Sequence, residues 1–224
     1  MLLKKLIITA ISASLVASAV FADSTNVGFR ITAANISATG TETTNQASTV
    51  TQAEKDADFA MGSVFLERSI NVKDGFSLTL GLDYVPLSAE IDKLDGGDGF
   101  DATLKAGNLI TAYIQPTFSL NENISFYGKA GYISGDLEIK DISRQASTGT
   151  TTIASTDTAQ DKNLEGTVLG LGIQMNRDTG PFNFIRLEAT RTDFDVIKHT
   201  NSNSKVLTAD ADMDLISLSI GKSF

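Results

Sequence analysis

Cysteine and tryptophan are absent from this 224-residue sequence, and histidine occurs once, as His199. Without cysteine no disulfide framework is available, so stability must come from a buried core or a closed sheet. Basic residues are also few, with 18 Lys and Arg against 27 Asp and Glu. That balance argues against nucleic acid as a partner, which requires a basic footprint. Beyond residue 22 no segment approaches 18 consecutive apolar residues, which excludes membrane-spanning helices. A sustained helical period is missing too. The length allows one domain or at most two.

The first 22 residues have the makeup of a secretory signal peptide. Lys4 and Lys5 supply a positive start, LIITAISASLVASAVF an apolar stretch, and VFA before Asp23 a small-residue cleavage site. The apolar run is short for a helix of ~20 residues that would stay in the membrane. Export is therefore expected, leaving one domain over residues 23–224. Losing Lys4 and Lys5 moves the formal charge from −9 to −11.

What the remainder contains is period-two alternation. In FSLTLGLDY, Phe76, Leu78, Leu80, Leu82 and Tyr84 share one face, and Ser77, Thr79, Gly81 and Asp83 the other. The same alternation runs through Val27, Phe29, Ile31 and Ala33, then through Ile110, Ala112, Ile114, Pro116 and Phe118. It recurs in Ile124, Phe126, Gly128, Ala130 and Tyr132, in Leu169, Leu171, Ile173 and Met175, and in Ile185, Leu187 and Ala189. It continues to the last residue in Ile216, Leu218, Ile220 and Phe224, where a soluble chain is usually frayed. An eighth strand lies near DFAMGSVFLER, residues 58–68, with an ambiguous face: either Phe59, Met61 and Phe65 or Ala60, Val64 and Leu66.

Three connections, INVKDG, LNEN and NRDTGP, are short polar turns. Four others, near residues 38–57, 87–104, 140–163 and 195–210, are long and rich in Ser, Thr, Asp, Ala and Gly. Short and long alternate, so they sort to opposite ends of an up-and-down sheet, the asymmetry of outer-membrane barrels. Phe76, Phe118, Phe126, Phe182 and Phe224 would form an aromatic ring at the short-turn end, with Tyr84, Tyr132 and Phe194 toward the other. Phe76 to Tyr84 spans about 26 Å of strand, or about 20 Å along the membrane normal at ~40° tilt, near the ~25 Å apolar band of such barrels. Arg30, Asp83, Lys129, Arg186 and Glu188 share the polar parity, which places the polar face inside. The expected architecture is an all-β, eight-stranded antiparallel transmembrane barrel, and closure explains why the terminal residues must form a full strand.

Together with ISFYGKAGYISG, GTVLGLGIQM, IRLEATRTDF and the terminal Phe, this pattern resembles the bacterial outer membrane protein beta-barrel family, among its small opacity-like or porin-like members. The resemblance implies an outer-membrane location and contact with membrane lipids and lipopolysaccharide. It also implies that the barrel assembly machinery reads Ile216, Leu218, Ile220 and Phe224, with Lys222 standing where an aromatic is often found.

An eight-stranded interior is just wide enough to be filled by side chains. The five lumenal charges are therefore expected to pair with one another, since an unpaired buried charge is costly. Four surface loops on a plugged barrel point to a structural or surface-interaction protein, expected to be a monomer without a cofactor. The alternatives are a narrow channel and, less favoured, a lipid-modifying enzyme. His199 lies near Ser202 and Ser204, but no orienting carboxylate is identifiable, so a solvated loop histidine is the expected role. In EIDKLDGGDGFD, Asp92, Asp95, Asp98 and Asp101 recur every third residue around glycines. Such oxygen ligands suit Ca²⁺, although the spacing is not that of an EF-hand and a solvated acidic loop is the simpler expectation.

Overall fold

The computed structural model describes residues 24–43, 50–86, 89–96, 100–144, 160–177, 180–200 and 206–224. The expected signal segment therefore lies outside the described residues. Ten strands follow in chain order: β1 (Ser24–Thr43), β2 (Val50–Lys73), β3 (Phe76–Val85), β4 (Ala89–Gly96), β5 (Phe100–Ser119), β6 (Ile124–Arg144), β7 (Gln160–Asn176), β8 (Phe184–Phe194), β9 (Ile197–Thr200) and β10 (Val206–Ser223). β4 and β9 pair only with the outer ends of β5 and β10. The other eight form a closed antiparallel ring, completed by β1 against β10 from Asn26 opposite Ser223 to Thr43 opposite Val206.

The last residue takes part in closure. Phe224 N–H donates to the Thr25 carbonyl at 2.8 Å, and Thr25 N–H donates to the Phe224 carbonyl at 3.0 Å. Pairing of the first strand with the last closes the ring at its seam, the condition for a sheet to sit in hydrocarbon. Two of the short turns have clear local causes. Gly75 adopts φ 74°, which glycine takes at little steric cost. Asn121 Oδ1 accepts from Asn123 N–H and Ile124 N–H, each at 2.9 Å, closing the β5–β6 turn with a side chain.

The strands reach farther than the alternation suggested. Residues 38–43, 50–57, 89–96, 100–104 and 140–144, expected as loop, are in strands, as is most of INVKDG. Polar, Thr-rich sequence is no bar to a ladder, because the backbone supplies the pairing groups whatever the side chains are.

Two outward aromatics stack at the short-turn end, with the Phe76 and Phe118 rings 4.8 Å apart. Phe126, Phe182 and Phe224 are exposed there, and Tyr84 is exposed near the opposite end. The outer aromatic ring is otherwise not as expected. Phe194 is 6% exposed and points inward, because it shares the parity of Arg186 and Glu188 on β8. Tyr132 is covered and donates to Glu165 at 2.8 Å.

Phe194 belongs to a general inversion. Along the outer halves of the strands the interior is apolar: Ala34, Ile36, Val85, Leu109, Ile133, Leu164, Val168, Phe194 and Met213 form one buried cluster, flanked by Ala57, Phe59, Met61 and Leu215. All eight ring strands contribute. Over the same stretch the outward positions are polar. Asn35 donates to Asp58 at 2.7 Å, Ser37 to Asp56 at 2.6 Å, and Arg191 pairs with Asp193, Asp212 and Asp214 at 3.0 to 3.3 Å. The expectation of a uniformly polar interior thus holds only for the inner part. Beyond the apolar band the barrel is built as in water, oily inside and polar outside.

A bulge serves this layer. Between Gly107 and Ile110 the β5–β6 register shifts, Asn108 takes φ 51°, and Leu109 turns into the apolar cluster.

Candidate lumenal charge network

Below the apolar layer the lumen holds three cations and three anions: Arg30, Lys129 and Arg186 against Glu67, Asp83 and Glu188. Their formal charges cancel, so the group can be desolvated together without a net charge. Each arrives on the inward parity of a different strand except Arg186 and Glu188, which are two apart on β8.

Glu67 anchors one half. It is fully buried, and Arg186 grips it as a fork, Nη1 to Oε1 at 2.6 Å and Nη2 to Oε2 at 2.8 Å. Tyr113 Oη donates to Oε1 at 2.6 Å and Asn26 Nδ2 to Oε2 at 3.2 Å. Arg186 Nε donates to Gln174 Oε1 at 2.6 Å. The guanidinium lies 4.5 Å from the Phe184 ring centre and 5.5 Å from that of Phe65, where cation–π attraction adds to the pair.

Glu188 anchors the other half. Lys129 Nζ donates to it at 2.7 Å and Tyr127 Oη at 3.0 Å. Arg30 Nη1 stands 3.7 Å from Glu188 and 2.6 Å from Asp83 Oδ2, while Arg30 Nε donates to Ser219 Oγ at 3.1 Å. The contact with Asp83 is close, but the guanidinium directs no N–H along it. Asp83 Oδ2 and Arg30 Nη2 both remain without a hydrogen-bond partner.

Room for the aromatic members comes from glycine. Gly28 stands opposite Phe65, Gly81 opposite Tyr113, Gly172 opposite Tyr127 and Gly221 opposite Phe184. In each pair a Cβ on the glycine would fall on the ring of its partner. The rings therefore lie across glycine backbones and aim their edges or hydroxyls at the charges.

The structure brings Arg30, Asp83, Lys129, Arg186 and Glu188 together in the lumen. The residue that sequence reasoning missed is Glu67, on the strand whose face was ambiguous. Its signal was available: Ser63, Phe65 and Glu67 are inward, and Val64 and Leu66 outward. Ile216, Leu218 and Phe224 face outward and are exposed, and Ile220 is partly covered on the same parity. Lys222 Nζ sits 5.4 Å over the Phe224 ring.

The acidic segment is a hairpin arm instead of an open loop. Asp92 stands opposite Leu104 and Asp95 opposite Asp101, while Asp98 lies outside the described residues. His199 is on β9 opposite Leu207, and Ser202 and Ser204 lie outside the described residues. Among the described residues no group of three or more His, Cys, Asp or Glu could hold a metal ion.

A closed, eight-stranded ring with an outward apolar band and an ion-paired lumen defines a transmembrane β-barrel. The family model described as the outer membrane protein beta-barrel domain matches residues 8–224, and the chain belongs to that family and to the outer membrane of Gram-negative bacteria. It is similar to solved structures of Ail, the attachment invasion locus protein of Yersinia pestis, in complex with the heparin analogue sucrose octasulfate. That likeness has 14% identity, covers 89% of this chain and 99% of that one, and gives a TM-score of 0.41. Neisserial surface protein A is similar at 10% identity, over 88% and 97% of the two chains, with a TM-score of 0.42. The outer membrane protease OmpT from Escherichia coli is similar at 9% identity, over 89% and 97%, with a TM-score of 0.39. No curated protein matches this chain by sequence.

Proposed function

We propose that this barrel is a closed membrane anchor, monomeric and without catalytic activity, whose outer strand extensions and loops make contacts at the cell surface. The observation that carries the reading is the filled lumen. Six paired charges, four inward aromatic rings and an apolar layer fill the interior, and the space enclosed between them is small, about 50 Å³. The outer ends, reaching Thr43, Val50, Phe100 and Arg144, carry backbone ladders past the apolar band, giving the surface segments a rigid base. Their outward Asp-rich rows face the level of the lipopolysaccharide headgroups. The chain is exported on a signal peptide of residues 1–22. Reconstituted into planar bilayers, the purified barrel is expected to give no open-channel steps, and reproducible steps would replace this reading with that of a narrow channel.

The terminal strand has a second role in this reading, as the segment that the barrel assembly machinery recognises through Ile216, Leu218, Ile220 and Phe224. Phe224 is 71% exposed on the outer wall, so its side chain contributes less to stability than a buried aromatic, whose burial is worth ~1.5–3 kcal/mol. Deleting Phe224 is therefore expected to lower surface levels in cells severalfold while refolding yield in detergent stays near that of the full chain. Equal losses in the two measurements would reduce Phe224 to a packing residue.

A further inference from the structure

The small internal space lies between the two halves of the lumen. Its lower wall carries Arg30, Asp83, Lys129 and Glu188, and its sides carry hydroxyls of Thr32, Ser63, Thr192 and Ser217. Its upper wall is Val85, Leu109, Ile133, Val168 and Met213, all from the apolar cluster. Arg30 is 9% exposed and Asp83 5% exposed, yet Arg30 Nη2 and Asp83 Oδ2 have no hydrogen-bond partner in the protein. Buried polar atoms left without a hydrogen bond are costly, and both residues line this space.

We propose that the chamber is an internal hydration site, and that the apolar layer above it, instead of the ion pairs, separates it from the external medium. A volume of about 50 Å³ has room for a few water molecules, each needing ~10–15 Å³ in this measure and two to four polar partners. Arg30 Nη2 supplies a donor, Asp83 Oδ2 an acceptor, and the hydroxyls supply both. A water bridging Arg30 and Asp83 completes the pair that direct contact leaves misaligned.

The barrier follows from the same geometry. An ion passing the network would meet carboxylates, hydroxyls and a hydrated pocket, groups able to replace part of its water shell. In the layer above it would meet side chains from all eight ring strands with no polar atom to offer. A constriction of that kind blocks by excluding water, without needing a charged gate. The inference rests on the closed-barrel reading and assigns the closure to particular residues.

Two measurements test it. In the unmodified barrel in micelles, NMR magnetisation transfer from water is expected to reach protons of Arg30, Ser63 and Thr192 and to be absent at Ile36 and Leu164, members of the apolar cluster that do not line the chamber. No transfer at Arg30 and its neighbours would overturn the hydration site. For the barrier, the variant Leu109→Ser with Met213→Ser is expected to give reproducible single-channel steps in planar bilayers. The variant Lys129→Gln with Glu188→Gln, which neutralises an ion pair and leaves the layer whole, is expected to stay silent. A silent layer variant that refolds with native β content, or conduction by the Gln variant, would overturn the assignment. Steps from the unmodified barrel would instead refute the closed-barrel reading itself. Should the serine variant not refold, the NMR pattern alone decides, since water reaching Ile36 or Leu164 would already contradict a dry layer.

Discussion

Replacing Arg186 by Met is expected to destabilise the barrel by about 3–5 kcal/mol, measured by urea unfolding from lipid vesicles with far-ultraviolet circular dichroism. The side chain is 2% exposed and supplies both arms of the fork that holds Glu67, itself fully buried. Methionine fills much of the space but leaves a carboxylate with only Tyr113 and Asn26 as donors. Most of the loss thus comes from the charge left behind. The double variant Glu67→Met with Arg186→Met removes both charges, keeps the remaining four balanced, and is expected to recover most of the stability. If single and double variants unfold alike, Glu67 and Arg186 are not coupled and the lumen is wet around them.

The second large effect is expected at a glycine. In Gly81→Val the new side chain occupies the place of the Tyr113 ring, which lies flat over that backbone. Overpacking of this kind costs about 1–3 kcal/mol. Moving the ring also breaks the 2.6 Å hydrogen bond from Tyr113 to Glu67. Hydrogen bonds to charged groups contribute about 1.5–3 kcal/mol, so a combined loss of about 3–5 kcal/mol is expected. Tyr113→Phe separates the two parts, because it loses the bond and keeps the ring. Gly62→Val is the control: a Cβ there would meet nothing closer than the Arg30 carbonyl oxygen, at 3.9 Å. Similar losses at Gly81 and Gly62 would show that glycine matters for strand flexibility and not for the seat of the ring.

Both effects arise where glycine, aromatic and charge meet across neighbouring strands, and this is also where reading the sequence reaches its limit. Parity alone placed Arg30, Asp83, Lys129, Arg186 and Glu188 on the inward side, since alternation follows from the pleat and needs no partner. It did not pair them. Arg186 was as free to meet Glu188, two residues away, as Glu67, 119 positions distant. Only the stagger of eight strands around the ring decides which inward side chains share a level.

The ambiguous stretch DFAMGSVFLER has a physical cause of the same kind. On β2, Phe59 and Met61 are packed against the interior cluster, while Val64 and Leu66 face outward. Both candidate faces are real, one above the other, because the strand leaves the hydrocarbon within that segment and its solvent changes. Phe194 follows the same rule. Distance along the chain points to an outer ring, whereas parity on β8 carries the side chain into the apolar layer.

The sequence by itself therefore determined the class of the protein: eight alternating strands, a terminal strand that has to pair, and charges on the inward face. These depend on nearest neighbours along the chain and on the preference of apolar side chains for lipid. The tertiary structure alone decided that Glu67 completes the charge balance, that four glycines seat four rings, and that the interior turns apolar toward the outside. Each of those depends on residues far apart in sequence arriving at one height in a closed ring, which is set by register and by where the bilayer ends.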